Sequence, residues 1–223
     1  MATKPKAISL LRYEPRTRSK PRLLPKKTPK QPRAKLTFDA IVMAATRLLE
    51  ELGYQQLTTN GVADVAGVAV GGLYAYFANK EALVAEVVRH TLRELLLEVE
   101  GEFGAVALVA DRERAVELLV RRCAQLLVKR RALLKVLFEQ VPFLMDLPEV
   151  RAFPTSLFAL AWRYRAIAQP AVAESSVFAK AYLYLLIPIG RWVTYAAVVD
   201  RPAWIPEQEA EDALVEIFRR LLR

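Results

Sequence analysis

Cysteine and histidine each occur once in the 223 residues, as Cys123 and His90. A single thiol excludes an internal disulfide framework and a multi-cysteine zinc site. A single imidazole leaves metal centres and nucleophile–base triads without their usual parts. Glycine is scarce, at eight residues, so the turn-rich composition of an all-β chain is missing. No segment alternates convincingly at period two, and no internal repeat is found. Apolar runs are short near the start, where Ala7-Ile8-Ser9-Leu10-Leu11 falls below the roughly 7–15 apolar residues of a secretory signal. The one long apolar run, Ala181 to Val199, holds Pro188 and Arg191 near its middle, and a central arginine is costly in a bilayer. The expectations from these absences are no catalytic residues, no metal ligands, no cofactor, no membrane partner and a cytoplasmic location.

What is present begins with charge. Residues 1–35 hold twelve basic side chains against the single acid Glu14, a net +11, while the other 188 residues carry 21 basic and 23 acidic groups, a net −2. The whole +9 of the chain therefore belongs to its first sixth. Six of the thirteen prolines lie there too, which argues against a regular helix. The segment reads as an extended, solvated cationic arm. It is either a solubilising tail or an arm lying on DNA phosphates.

With 54% hydrophobic residues the rest of the chain can bury a sizeable core. Leu36 to Leu52 places Phe38, Ile41, Ala44, Ala45, Leu48 and Leu49 at helical spacing, and Gly53 follows as a stop. Thr59 to Ala66, with Thr59 as a candidate cap, and Val70 to Phe77 form two short helices joined by Gly67-Val68-Ala69. Asn79 is the candidate cap of a long helix running to about Gly101. Further helices are expected over Asp111–Val128, Arg131–Val141, Leu147–Ala168, Glu174–Val199 and Pro206–Leu222. The predicted fold class is all-α with about nine helices.

Two short helices around a glycine turn are the layout of a helix-turn-helix, in which the second helix enters the major groove. Gly53-Tyr54, Thr58-Thr59, Val62-Ala63, Ala66-Gly67-Val68, Gly71, Leu73-Tyr74, Tyr76-Phe77 and Asn79-Lys80-Glu81-Ala82-Leu83 resemble the signature of tetracycline-repressor (TetR) family regulators. The resemblance covers about fifty residues. It implies a three-helix DNA-binding head over 36–82 after the arm of 1–35. Residues 83–223 would then form a helical domain for ligand binding and dimerisation, with the last two helices as the homodimer surface. It implies double-stranded DNA with a palindromic operator as partner, and a small-molecule effector.

Carried over by position, the resemblance puts Thr59, Asn60, Val70, Gly71, Gly72, Tyr74, Tyr76 and Lys80 at the DNA. Thr59 and Lys80 would meet phosphates, and Tyr74 and Tyr76 the backbone. Hydroxyls and ammonium groups suit that positioning task. Three positions depart from the pattern: Gly61, Ala69 and Gly72 are small where the family often has polar or basic side chains. The segment Ala69 to Tyr76 offers no Arg, Lys, Asn or Gln for a bidentate base contact. Residues 36–80 carry a net −2, so the arm is the expected source of attraction to DNA. A non-specific arm-driven DNA binder and a ligand-binding module with a weakened head are the competing readings. The effector would be apolar or aromatic, with His90, Leu127, Phe138, Phe143, Met145, Trp162, Tyr182 and Trp192 as candidate wall residues, no more than half of them expected to line a cavity.

Overall fold

The computed structural model describes residues 23–168 and 177–221. Among these, nine α-helices and no strand are found: α1 Pro32–Gln56, α2 Thr59–Ala66, α3 Val70–Tyr76, α4 Lys80–Val106, α5 Arg112–Val128, α6 Arg131–Gln140, α7 Pro148–Ala168, α8 Val177–Val198 and α9 Glu207–Leu221. A short 3₁₀ turn, Pro142–Asp146, links α6 to α7. The all-α expectation is borne out. Residues 1–22 of the expected arm and the expected helix start at Glu174 lie outside the described residues.

α1 begins at Pro32, four residues before the predicted start. Proline has no N–H to lose at the first helical position, and its fixed φ suits the helix. The last proline of the basic segment therefore starts a helix instead of blocking one. Near its other end α1 is interrupted at Gly53, whose φ of 76° and ψ of 174° no L side chain adopts readily. The N–H of Tyr54, freed by that break, donates to Gln140 Oε1 of α6 at 2.8 Å.

α2 is capped by Thr58, not Thr59: the Thr58 hydroxyl accepts from Gly61 N at 3.1 Å. Gly67 ends the helix in the left-handed region with φ 66°. α3 starts at Ala69 with no side-chain cap. Asn79 does cap α4, accepting from Ala82 N at 2.7 Å, and Asp111 caps α5 through Glu113 N and Arg114 N.

Every residue from Ala82 to Arg89 on α4 is buried, so this stretch is enclosed on all sides. Around it runs one apolar cluster that takes Phe38, Ile41 and Leu49 from α1, Val62 from α2 and Leu73 from α3. The same cluster takes Leu133, Val136 and Leu137 from α6 and Leu144 and Leu147 from the turn after it. The expected domain boundary at 82/83 therefore falls inside a shared core, because α6 packs on α1 and the two units are not separable there. A second cluster joins α5, α6, α8 and α9 through Val120, Leu134, Val198 and Leu214. A third joins α4, α5 and α7 through Leu95, Val99, Leu126 and Leu160.

The two left-handed glycines differ in what a methyl group would meet. A Cβ on Gly53 would lie 2.9 Å from Gln140 Oε1, whereas one on Gly67 would meet nothing within 4 Å. Gly67→Ala should cost about 1–2 kcal/mol from backbone strain alone. Gly53→Ala should cost more, about 2–3 kcal/mol, since it also displaces Gln140 Oε1, the acceptor of the Tyr54 N–H. Urea unfolding of both variants measures the difference.

Candidate functional site

The turn between α2 and α3 is closed by backbone bonds from Gly67 N to Asp64 O at 3.1 Å and from Val68 N to Ala63 O at 3.0 Å. Leu73 and Phe77, both fully buried, hold α3 against the core. What α3 shows outward is small: nothing lies within 4 Å of a Cβ built on Gly71 or Gly72, and Ala69 and Ala75 are exposed. The exception is Tyr74, which is 40% exposed. Its hydroxyl lies 3.0 Å from that of Thr59 at the start of α2. The two hydroxyls form one polar point between the helices of the motif, and Asn60 is exposed beside it.

Residues 23–31 do not hang free. Leu23 packs against the core and its carbonyl accepts from Arg89 at 3.1 Å. Lys26 N donates to Tyr76 O at 2.7 Å, and Lys26 Nζ donates to Tyr74 O at 2.9 Å. Lys27 Nζ lies 4.9 Å from the Tyr76 ring centre. The last carbonyls of α3 are thus capped by a lysine from the basic segment. A cation at a helix C-terminus is favoured by the dipole. This docked stretch corrects the expectation of a wholly solvated arm, and it brings two cations to the end of α3.

Two residues expected at the DNA have other partners. Tyr76 is only 8% exposed. Its ring packs edge-on against Phe38 at 5.5 Å, and its hydroxyl donates to Ala34 O at 3.4 Å. It is a core aromatic, because its side of α3 faces α1. Lys80 Nζ donates to Tyr54 O at 2.7 Å and Leu57 O at 3.0 Å, with the Tyr54 ring 4.1 Å away. Burial lowers its pKa from the usual lysine value. The ammonium satisfies carbonyls left open where α1 ends at Gln56.

A cavity of about 450 Å³ lies among α4, α5, α7 and α8. That is within the common range of ligand sites, about 300–1,000 Å³. Its walls are mainly apolar, with Val99 and Phe103 from α4, Val120 from α5, Leu157 from α7 and Ile187 from α8. Polar groups come from Arg112, Tyr164, Arg165, Arg191, Thr194 and Tyr195. No carboxylate is among the described wall residues. Cys123 is a wall residue too, and burial pushes its thiol up to about 12.

Between cavity and head stands Arg89, buried on α4. Its guanidinium donates to Glu86 Oε2 at 3.2 Å, to Glu149 Oε1 at 2.8 Å and to the Leu23 carbonyl. Glu149 lies in the first turn of α7, one residue before the wall residue Val150. Burial pushes the Glu149 carboxyl up, but its own backbone N–H, the Arg89 bond and the Arg89 and Arg93 charges outweigh this and hold it below the usual range. One side chain therefore ties the basic segment, α4 and the first turn of α7 together.

Residues 41–87 match the family model of bacterial regulatory proteins of the tetR family. Residues 41–87 thus resemble the head of that family. Over 83 residues it is 30% identical to the fatty acid metabolism regulator protein of Bacillus subtilis, covering 37% of this chain and 42% of that protein. Over 65 residues it is 35% identical to the HTH-type transcriptional repressor KstR2 of Mycolicibacterium smegmatis, covering 29% of this chain and 31% of that protein. The matched part thus spans less than half the length of either curated relative. The fold extends further. A tetR-family transcriptional regulator from Mesorhizobium loti superposes with a TM-score of 0.68 at 19% identity, covering 86% of this chain and 98% of that chain. FadR from Bacillus subtilis, solved with stearoyl-CoA, superposes with a TM-score of 0.60 at 16% identity, covering 83% of this chain and all of that chain.

Three of the eight expected wall residues line the cavity: Leu127, Phe138 and Trp192. The other five are used elsewhere. His90 pairs with Glu94 at 3.4 Å. Phe143 packs edge-on to Tyr54 at 6.0 Å. Met145 is half-buried in the 3₁₀ turn. Trp162 stacks on Phe158 at 6.2 Å, and the Tyr182 hydroxyl donates to Leu221 O. Sequence reasoning missed Arg165 and Arg191 because an arginine on an amphipathic helix reads as a surface charge. It missed Arg89 for the same reason, although an arginine amid Val84, Ala85, Val87 and Val88 was a usable signal.

Two measurements follow from this geometry. Lys80→Ala leaves the Tyr54 and Leu57 carbonyls without their donor and should lower stability by about 1–3 kcal/mol; chemical denaturation reads it. The Cys123 thiol should react with a thiol-specific disulfide reagent at pH 8 at least about a hundredfold more slowly than free cysteine, since thiolate is the reactive form. Unfolding in guanidinium should restore the ordinary rate.

Proposed function

We propose that this protein is a homodimeric, cytoplasmic transcriptional repressor that binds a palindromic operator and is switched by an apolar small molecule held in the α4–α5–α7–α8 cavity. The observation that carries the reading is the tetR-family helix-turn-helix joined through one shared core to a mainly apolar cavity. The relatives named as a repressor and as a fatty acid metabolism regulator support it, and so does the FadR structure with its acyl thioester. Thr59, Asn60, Val70, Gly71, Gly72 and Tyr74 form the surface offered to the groove, with Lys26 and Lys27 at its edge. Lys80 and Tyr76 hold that surface in place instead of touching DNA.

The switch works through α4 and α7. An effector shifts the protein towards whichever arrangement binds it better. Its contacts with Leu157 and Phe153 on α7 bear on a helix whose first turn is clamped to Arg89. Arg89 is clamped in turn to the segment that caps α3. A displacement of α7 along its axis therefore reaches the reading helix through charged hydrogen bonds.

The homodimer surface proposed is α8 with α9. α8 exposes Phe178, Tyr184, Leu185, Ile189 and Trp192, and α9 exposes Ile217. One protomer leaves this apolar face uncovered, and a two-fold partner would bury it against itself. The described helix from Lys180 to Val198 is also long and apolar enough to cross a membrane. Here it packs between α7 and α9 through Leu186, Val198 and Gly190, which suits a bundle helix.

Footprinting on genomic fragments at physiological salt tests the DNA reading: discrete protected palindromes support it, and uniform, salt-sensitive coverage supports a non-specific binder. Because α3 offers no long polar side chain for bases, electrostatic affinity should come from the basic segment. Removing residues 1–22, which carry seven cations, should weaken operator binding at least about tenfold. It should also flatten the slope of log affinity against log salt by about 0.9 for each phosphate that the arm had neutralised. Leu185→Asp with Ile189→Asp should turn the dimer into monomers, read by light scattering.

A further inference from the structure

The cavity contains a charge problem that its apolar walls do not solve. Arg165 and Arg191 both reach it, and no described wall residue is an acid. Elsewhere in the body arginines are paired across helices: Arg121 with Asp212 at 2.6 Å, Arg122 with Glu102 at 3.1 Å and Arg130 with Glu98 at 2.7 Å. Arg165 has no ion pair of this kind among the described residues. Its Nε is buried with no hydrogen-bond partner among the described residues. Arg191 lies against the Trp192 ring, 5.7 Å from its centre. A buried guanidinium N–H without an acceptor costs free energy that folding alone does not return. A ligand oxygen would satisfy it, and the planar guanidinium suits a carboxylate or phosphate best.

The position of Arg165 gives the ligand a direction. It follows Tyr164, whose ring stacks on Phe103 at 5.7 Å. Phe103 lies in the last turns of α4, about 35 Å along the helix from Lys80 at about 1.5 Å per residue. The cation is thus at the end of the cavity far from the head, while Leu92, Val150 and Phe153 line the end nearer to it. An apolar tail could lie along these walls with its anion at Tyr164 and Arg165.

We propose that the effector is an amphiphile with a long alkyl chain and an anionic head, a fatty carboxylate or its coenzyme A thioester, and that Arg165 binds the anion, the carboxylate of the first or a phosphate of the second. This rests on the effector-cavity reading above and names the chemical class of the molecule. Thr194 is not a competing donor, because its hydroxyl already donates to Gly190 O at 2.7 Å.

The test uses the full chain without DNA, so that loss of operator binding and loss of ligand binding are separate results. Oleate, oleoyl-CoA and oleyl alcohol, each below its micelle concentration, are titrated by calorimetry and by intrinsic fluorescence, where Trp192 in the wall reports occupancy. At least one of the two anions should bind about tenfold or more tightly than the alcohol. Oleate alone assigns the free acid, and oleoyl-CoA alone assigns the thioester. Arg165→Gln should abolish the preference while leaving the alcohol unchanged, and Arg165→Lys should keep part of it. Equal affinity for alcohol and anions overturns the proposal. So does no binding of any probe, or an anion preference that survives Arg165→Gln. Should Arg165→Gln fail to fold by circular dichroism, the wild-type comparison together with Arg165→Lys decides.

Discussion

Enclosing α4 on every side from Ala82 to Arg89 is the constraint from which the rest of the molecule follows. A helix buried all round needs neighbours on all faces, and here they come from before and after it in the chain: α1, α2 and α3 precede it, and α6 and the start of α7 follow it. The reading head and the cavity body cannot then be two beads on a string. The same enclosure forces Arg89 into the core, where an unpaired charge would be costly. Glu86 on the same helix, Glu149 on α7 and the Leu23 carbonyl of the basic segment meet that demand.

The break at Gly53 works in the same way. It frees the Tyr54 N–H, which Gln140 on α6 accepts, and the carbonyls opened just beyond, where α1 ends, are met by Lys80 at the start of α4. Both satisfying groups lie outside the three-helix head or at its border. The end of α1 is therefore held by the body and by the helix that leads into it. In the proposed switch, two polar links join the body to the head, one from Gln140 on α6 to Tyr54 and one from Glu149 on α7 through Arg89 to Leu23.

Much of this was legible in the sequence, and for physical reasons. Spacing and caps located nine helices, and Asn79 and Asp111 sit where a side-chain acceptor must precede a helix. Gly67 marked the motif turn because only the left-handed region closes it. The signature residues of the head fall largely within residues 41–87, which match the tetR-family model. What could not be read was which partner each long side chain would choose. Thr58 and Thr59 both fit a cap, and only the backbone decides between them. Lys80 and Tyr76 match positions that face DNA elsewhere, yet the open carbonyls at the end of α1 and the approach of Ala34 engage them here. Of the aromatic residues chosen for the cavity, Phe143 and Trp162 proved to be packing residues, since composition cannot say which side of a helix encloses a void.

The charge of the chain resolves into two separate tasks. The folded body is nearly neutral and spends its arginines on neighbouring carboxylates, so it contributes little long-range field. The basic segment stands outside that balance, and its docked end puts Lys26 and Lys27 at the close of the reading helix, where a polyanion would run past. Arg165 and Arg191 stand outside it in the opposite sense, turned into an apolar cavity with no described acid to meet them. A chain that pairs so many of its other body arginines has left these two for a molecule that it does not itself contain. The same residue type thus marks both partners, and burial distinguishes them: exposed cations suit the phosphates of a long polymer, and enclosed ones suit a single anion at the end of a hydrophobic tail.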